Sequence, residues 1–220
     1  FCGDGFNVCA PSLPPDAICV PESPAFTTTS SKFDFKISFA SANVFTLGVG
    51  SKGHTGKLDY IKGQFVNFHL NFLGVQEART QEGIILKDDI LRLCAGADGK
   101  HLGVELWCNL KQPFAFVNNK PRFLRGSDFQ VIHRDPRRLL VRVQHAAWQT
   151  YLLVGHAPHS GTALAQRATW WSELHRILQA CHQDVPLVAM IDANAAPGDG
   201  DLRHVLGAGF AETSGTDRKS

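Results

Sequence analysis

Three times along this chain a short, strongly apolar run stops at a polar residue that a core cannot comfortably hold. Residues 72–75 give way to Gln76 and Glu77, residues 151–155 to His156, and residues 187–191 to Asp192, with Asn194 two positions further on. Apolar runs of four to six residues bounded by breakers read as strands, and the last of them, opened by Pro186, reads as a strand buried on both faces. A fourth polar residue, Asn43, follows a strand pattern in which Phe33, Phe35, Ile37 and Phe39 alternate with Asp34, Lys36 and Ser38. In a layered α/β protein such strand ends converge in one cleft, where loops on a rigid scaffold stay open to ligands.

The intervening segments supply the layers. Leu58, Ile61, Phe65 and Phe68 recur at helical steps between polar Lys57, Lys62, Gln64 and Asn67, predicting a helix. A longer helix is predicted from Leu164, Ala168, Trp171, Leu174, Leu178 and Cys181 on one face, with Thr162 as its cap. Between them, strand-like runs at 90–94, 102–110, 114–117, 129–133, 139–143 and 151–154 are separated by turn signals such as Asn118-Asn119 and Asp135-Pro136. A short last helix is expected over 201–206. The reading is an α/β fold with two mainly antiparallel sheets packed face to face and helices outside. Residues 1–31, with Pro11, Pro14, Pro15, Pro21 and Pro24 before a Thr/Ser run, read as a linker or tail, and 32–220 as the domain.

Charge restricts the partners. Lys and Arg number 22 against 20 Asp and Glu, so the net charge is +2 and no global field draws the chain to nucleic acid or membrane. Residues 120–142 nevertheless hold seven basic side chains (Lys120, Arg122, Arg125, Arg134, Arg137, Arg138, Arg142) against Asp128 and Asp135. They read either as a phosphate-holding surface or as solvated strand faces. No run approaches the ~20 apolar residues of a membrane span, so no membrane partner is expected, while the compartment stays open, intracellular and nuclear included. None of the 6 cysteines forms a CxxC pair, which disfavours a zinc ribbon. Cys94, Cys108 and Cys181 read as small buried hydrophobes, while Cys2, Cys9 and Cys19 are an odd number for pairing. The chain starts at Phe1 and its single methionine is Met190, which reads as a fragment, a processed product or an incomplete gene model.

Glu, Asp and Asn offer hard oxygen ligands that suit magnesium or manganese and do not suit zinc. Taken singly, each has an ordinary structural role. Glu77 would start a helix or lie in solvent, Asp192 and Asn194 would cap a turn, His156 would be a hydrogen-bonded structural histidine, and Asn43 would sit at a strand edge.

Taken in order, Ser41-Ala42-Asn43-Val44, Leu73-Gly74-Val75-Gln76-Glu77-Ala78-Arg79, Leu152-Leu153-Val154-Gly155-His156-Ala157-Pro158-His159 and Met190-Ile191-Asp192-Ala193-Asn194-Ala195 resemble the endonuclease/exonuclease/phosphatase superfamily. The likeness is to its branch of apurinic endonucleases and non-LTR retroelement endonucleases. It implies a four-layered α/β sandwich and divalent-metal-dependent phosphodiester hydrolysis, with Mg2+ or Mn2+ as cofactor and nucleic acid, DNA first, as partner. By resemblance, Glu77 binds the metal, Asn43 supports it and Gln76 is its motif neighbour. Asp192 orients or deprotonates the attacking water, Asn194 and His156 stand at the phosphate, and Arg79 and His159 contact substrate.

Three departures qualify the resemblance. Ile191 replaces a glycine usual before the Asp-x-Asn pattern, and Phe45 stands where apurinic endonucleases carry an acid. No Asp-His pair follows Asn194, since the one later histidine, His204, is preceded by Arg203. The expectation is therefore a domain incomplete at its C-terminus and inactive in isolation, with fusion to a downstream reverse transcriptase in a longer protein. The alternatives are an inactive retroelement remnant and a superfamily phosphatase acting on small phosphoesters.

Overall fold

The computed structural model describes residues 33–47, 56–99 and 101–194. The expected tail over 1–31, Cys2, Cys9, Cys19, the helix expected at 201–206 and His204 lie outside the described residues.

In chain order, β1 (Phe33–Phe35) and β2 (Phe39–Asn43) precede helix α1 (Lys57–Asn67). Then come β3 (Phe72–Gln76), β4 (Gly83–Lys87), β5 (Ile90–Cys94), β6 (Glu105–Asn109), β7 (Ala115–Val117), β8 (Lys120–Arg122), β9 (Phe129–Asp135), β10 (Arg138–His145) and β11 (Trp148–His156). Helix α2 (Leu164–Leu178) and β12 (Leu187–Asp192) complete them. One sheet runs β2-β3-β6-β5-β4, a second β12-β11-β10-β9, and a small third β1-β7-β8.

The alternation of side chains along each strand creates the layers. Phe72, Leu91, Leu93 and Leu106 on one face of the five-stranded sheet pack against Leu139, Val141, Leu152 and Val154 of the four-stranded sheet. On the opposite face of the five-stranded sheet, Leu73, Val75, Ile90 and Trp107 receive Phe65 of α1, whose ring meets Trp107 edge-on at 6.0 Å. Leu140, Tyr151 and Leu153 turn away from the shared core and are covered by Trp170, Trp171, Leu174 and Ile177 of α2. Full burial of a residue of this size stabilises by about 1.5–3 kcal/mol. The order helix, sheet, sheet, helix is a four-layered α/β sandwich.

Several expectations change in detail. The alternation from Phe33 to Phe39 is two strands in different sheets, with residues 36–38 crossing between them. The strand expected over 102–110 starts only at Glu105, because Leu102 and Gly103 have left-handed backbones (φ 63° and 88°). Helix α2 is capped at Ala163 without a side-chain bond, so Thr162 is not its cap, and Leu164 is exposed. β12 is only half-buried except at Met190, because among the described residues it is an edge strand. Strands β4 and β8 were not anticipated. Cys94 and Cys108 are buried free thiols, and burial together with Glu105 pushes Cys94 up to about 12. Among the described residues no helix is long and apolar enough to cross a membrane.

Candidate active site

Two parallel strand pairs create the site. β2 runs parallel to β3, with Asn43 opposite Gln76, and β11 runs parallel to β12, with His156 opposite Asp192. Parallel partners end at the same edge, so each sheet delivers two polar ends together. Gly74 then brings the sheets close, because a Cβ at this position would lie 2.7 Å from the Met190 Cβ. Gln76, 1% exposed, fastens the junction by donating from Nε2 to the Met190 carbonyl at 3.0 Å and to Ser41 Oγ at 2.9 Å.

Beyond β3 the chain turns sharply. Glu77 and Arg79 both hold a left-handed backbone at φ 54°, a conformation that costs a non-glycine residue about 1–3 kcal/mol unless its surroundings enforce it. Enforcement comes from the β5–β6 loop, where Gly103 and Leu102 carbonyls accept the Ala78 and Arg79 N–H groups, each at 2.9 Å. Gly103 permits the approach, since a Cβ there would lie 3.1 Å from the Arg79 nitrogen.

The side chains then meet. Asn43 Nδ2 donates to Glu77 Oε1 at 3.1 Å and to Asp192 Oδ2 at 2.9 Å, while its Oδ1 accepts the Phe45 N–H at 3.2 Å. His156 Nε2 lies 3.7 Å from Glu77 Oε1 and 3.9 Å from Asp192 Oδ2. Arg79 Nη2 donates to Glu77 Oε2 at 3.0 Å. Asn194 accepts a left-handed backbone (φ 48°), donates its N–H to Asp192 Oδ1 at 3.2 Å and donates from Nδ2 to the Ala157 carbonyl at 2.8 Å. A cleft of about 190 Å³ is lined by Glu77, Arg79, His156, His159 and Asn194. All the residues singled out in the sequence thus lie at this edge, with Gln76 buried beneath it.

Four solved structures of known proteins give the context. Neither the family models nor the curated proteins searched contain a match to this chain. A humanized TDP2 from D. rerio aligns with a TM-score of 0.52 at 14% identity, over 78% of this chain and 66% of that one. The chain has the endonuclease/exonuclease/phosphatase fold. Other structures similar to it are an AP endonuclease from Archaeoglobus fulgidus (TM-score 0.49, 14% identity, 74% of this chain and 60% of that) and the endonuclease domain of TRAS1, a telomere-specific non-LTR retrotransposon (0.45, 13%, 71% and 58%). The human Nocturnin catalytic domain aligns at 0.45 and 14% identity over 79% of this chain and 72% of that. The chain spans less than two thirds of the length of the first three.

Two departures from the superfamily's usual residues have local explanations in this endonuclease/exonuclease/phosphatase fold. Ile191 does not crowd its turn, because its neighbour across the parallel pair is Gly155, and Ile191 Cγ1 lies 3.1 Å from where a Cβ of Gly155 would stand. Phe45 serves through its backbone N–H while its ring is exposed.

Sequence reasoning did not single out His101 or Arg137 for the cleft, which both line. His101 carried no signal, whereas Arg137 was one of the seven basic residues at 120–142. That basic segment is not one surface. Arg134 pairs with Glu82, Arg138 with Asp135 and Glu173, and Arg142 lies over the Tyr151 ring. Arg137 faces the cleft and donates to the His156 carbonyl at 3.3 Å.

Burial raises the Glu77 carboxyl, but hydrogen bonds from Asn43 and Arg79 and the charges of His156 and Arg79 outweigh it, leaving Glu77 below the ordinary carboxylate value. Burial holds His156 below the ordinary imidazole value, against the opposing pull of Asp192 and Glu77. Its Nδ1 is buried without a hydrogen-bond partner among the described residues. At neutral pH the site therefore presents an ionised Glu77 beside an uncharged imidazole. Two carboxylates touching one amide nitrogen form an oxygen-rich pair suited to a hard divalent cation. Among the described residues no group of three or more His, Cys, Asp and Glu side chains is placed to hold a metal ion by itself.

Proposed function

We propose that the chain is most of a domain that hydrolyses phosphodiester bonds of nucleic acid, DNA in the first place, with Mg2+ or Mn2+ as cofactor. The observation that supports this reading is the contact of Asn43 Nδ2 with both Glu77 and Asp192, three polar ends contributed by strands of two different sheets. Glu77 would hold the cation with Asn43 in support, and the ion would offset charge developing on the phosphoryl and leaving oxygens. Asp192 Oδ2 accepts the proton of the attacking water. His156 Nε2, facing both carboxylates, stands at the phosphate with Asn194. Arg79 and His159 flank it and orient the substrate.

The test reads binding and turnover separately. Titration with Mn2+, followed by the signal of the free ion, is expected to reveal one site that Glu77→Ala weakens at least about tenfold. Nicking of supercoiled plasmid in Mg2+ is expected to fall about a hundredfold or more in Glu77→Ala and in Asp192→Ala, the scale of losing a general base. Nicking that persists in both variants rejects the residue assignment. Mn2+ binding without nicking identifies a remnant that retains the cation without the chemistry, and faster release of phosphate from inositol phosphates than cutting of plasmid identifies a small-phosphoester phosphatase.

A further inference from the structure

Beside the cleft lies a second, larger depression of about 500 Å³. It is bounded by the β3–β4 loop, the β5–β6 loop and the β9–β10 turn. Arg79 lines both spaces, and Pro136 of the second adjoins Arg137 of the first. At that seam Arg79 Nε is buried with no hydrogen-bond partner among the described residues.

The two spaces differ in size and charge. The cleft, at about 190 Å³, is smaller than the ~300–1,000 Å³ of ordinary small-ligand sites, and its lining places Arg79, Arg137, His101, His156 and His159 around the one carboxylate of Glu77. It suits a phosphate. The depression falls inside that size range, and its charges are internally matched. Arg134 is paired with Glu82 at 2.7 Å, and Asp135 with Arg138 at 2.8 Å and His133 at 2.7 Å. A neutral polar group fits there better than a second anion.

Shape narrows the class further. Ala95, Gly96 and Ala97 contribute nothing beyond a Cβ and, with the ring of Pro136, leave one side of the depression free of long side chains. Gly96, at φ 80°, keeps the two loops close, because a Cβ there would lie 3.0 Å from the Glu82 Cβ. Gln81 is exposed at the rim, where its amide can donate and accept. A side lined by small residues and a proline ring, with an amide at the edge, leaves room for a heterocycle to lie against it and to hydrogen-bond along one side.

We propose that this depression is the subsite for the nucleoside next to the scissile phosphate, so that the substrate strand presents an unpaired base there. The assignment rests on the phosphodiester reading above. It places the phosphate between Glu77 and Arg137 and the attached base against Ala97 and Pro136, with Arg79 at the junction.

The experiment compares binding of dAMP with that of 2-deoxyribose 5-phosphate to the 220-residue chain without added metal. dAMP is expected to bind at least about fivefold more tightly, the scale of removing about 40 Å² of apolar ring surface from water. Ala97→Ile, whose branched side chain stands up from the wall where the ring would lie, is expected to bring dAMP toward the affinity of the sugar phosphate while leaving the sugar phosphate within about twofold. Gln81→Ala, a milder rim change, is expected to remove part of the preference with the melting temperature unchanged. Equal binding of the two probes by the unsubstituted chain overturns the proposal, as does a parallel loss of both probes in both variants. A dAMP preference that survives in Glu77→Ala supports the subsite. If that preference holds while plasmid is never nicked, the hydrolysis reading fails and the subsite stands.

Discussion

Gly74→Ala is the most direct probe of how the two sheets bring the site together. An added methyl within a strand ordinarily stabilises by about 0.5–1 kcal/mol, because alanine loses less backbone entropy than glycine. Here the new Cβ would lie 2.7 Å from Met190 Cβ and 3.2 Å from its Sδ, against an ordinary carbon contact of about 3.5–4.0 Å. β3 and β12 must therefore part by about 1 Å, and overpacking of this kind costs about 1–3 kcal/mol. The same opening stretches the 3.0 Å bond from Gln76 to the Met190 carbonyl beyond reach, and a buried amide left unpaired costs about 1–3 kcal/mol more. The net expectation is a loss of about 2–5 kcal/mol. At about 2–4 °C per kcal/mol for a domain of this size, the thermal midpoint falls by roughly 4–20 °C, measured by far-ultraviolet circular dichroism. Met190→Ala alone is expected to cost about 2–5 kcal/mol, and the double variant less than the sum by about 1 kcal/mol or more. A Gly74→Ala protein that melts at or above the parent temperature, or strictly additive single effects, refutes the close approach.

The remaining expectations concern the buried charge, the turn and pH. Glu105 is fully buried and accepts from Arg92, Thr80 and Trp107, so Glu105→Ala is expected to cost about 3–5 kcal/mol in urea denaturation, and a loss below about 1 kcal/mol contradicts this account. Gly103→Ala should cost about 1–3 kcal/mol and weaken Mn2+ binding, because it strains a backbone at φ 88° and pushes on the loop that aims Glu77. His156 has a folded pKa below the ordinary 6.5, so the unfolded chain binds the extra proton first. Stability is therefore expected to fall as pH drops from about 6.5 through the folded value, and His156→Gln should flatten that limb, with an unchanged slope counting against the burial argument. Glu77 and Asp135, both held below their ordinary values, extend the loss at lower pH, starting below about 4.5 and 3.8 respectively.

How much of this was readable from the chain depended on whether a residue's environment is local. Residues 72–75, 151–155 and 187–191 announced themselves because a buried strand needs a continuous apolar run, and the polar residues at their ends stood out by contrast. β8 had no such signal, since Lys120-Pro121-Arg122 becomes a strand only through its partner across the left-handed turn of Asn118 and Asn119 (φ 50° and 62°). β4 carries no pattern signal, because Ile84, Ile85 and Leu86 form a run of three on an edge strand, where they stay exposed. Glu105 was hidden for a different reason. Its position within a strand suggests a solvated face, and only Thr80, Trp107 and Arg92, on the neighbouring strand, supply the partners that let that carboxylate be buried. The division of residues 33–39 between two sheets likewise depends on partners far along the chain, with β1 pairing to β7 and β2 to β3.

Asn43 and Asp192 stand 149 positions apart, yet a single amide nitrogen links them. During synthesis at about 5–20 residues per second, the second carboxylate emerges roughly 7–30 s after the asparagine that will hold it. Until then β2, β3 and α1 can associate through contacts made earlier in the chain, but Glu77 has no partner acid. The carboxylate pair therefore cannot assemble before β12 has been made, however early Asn43 and Glu77 appear.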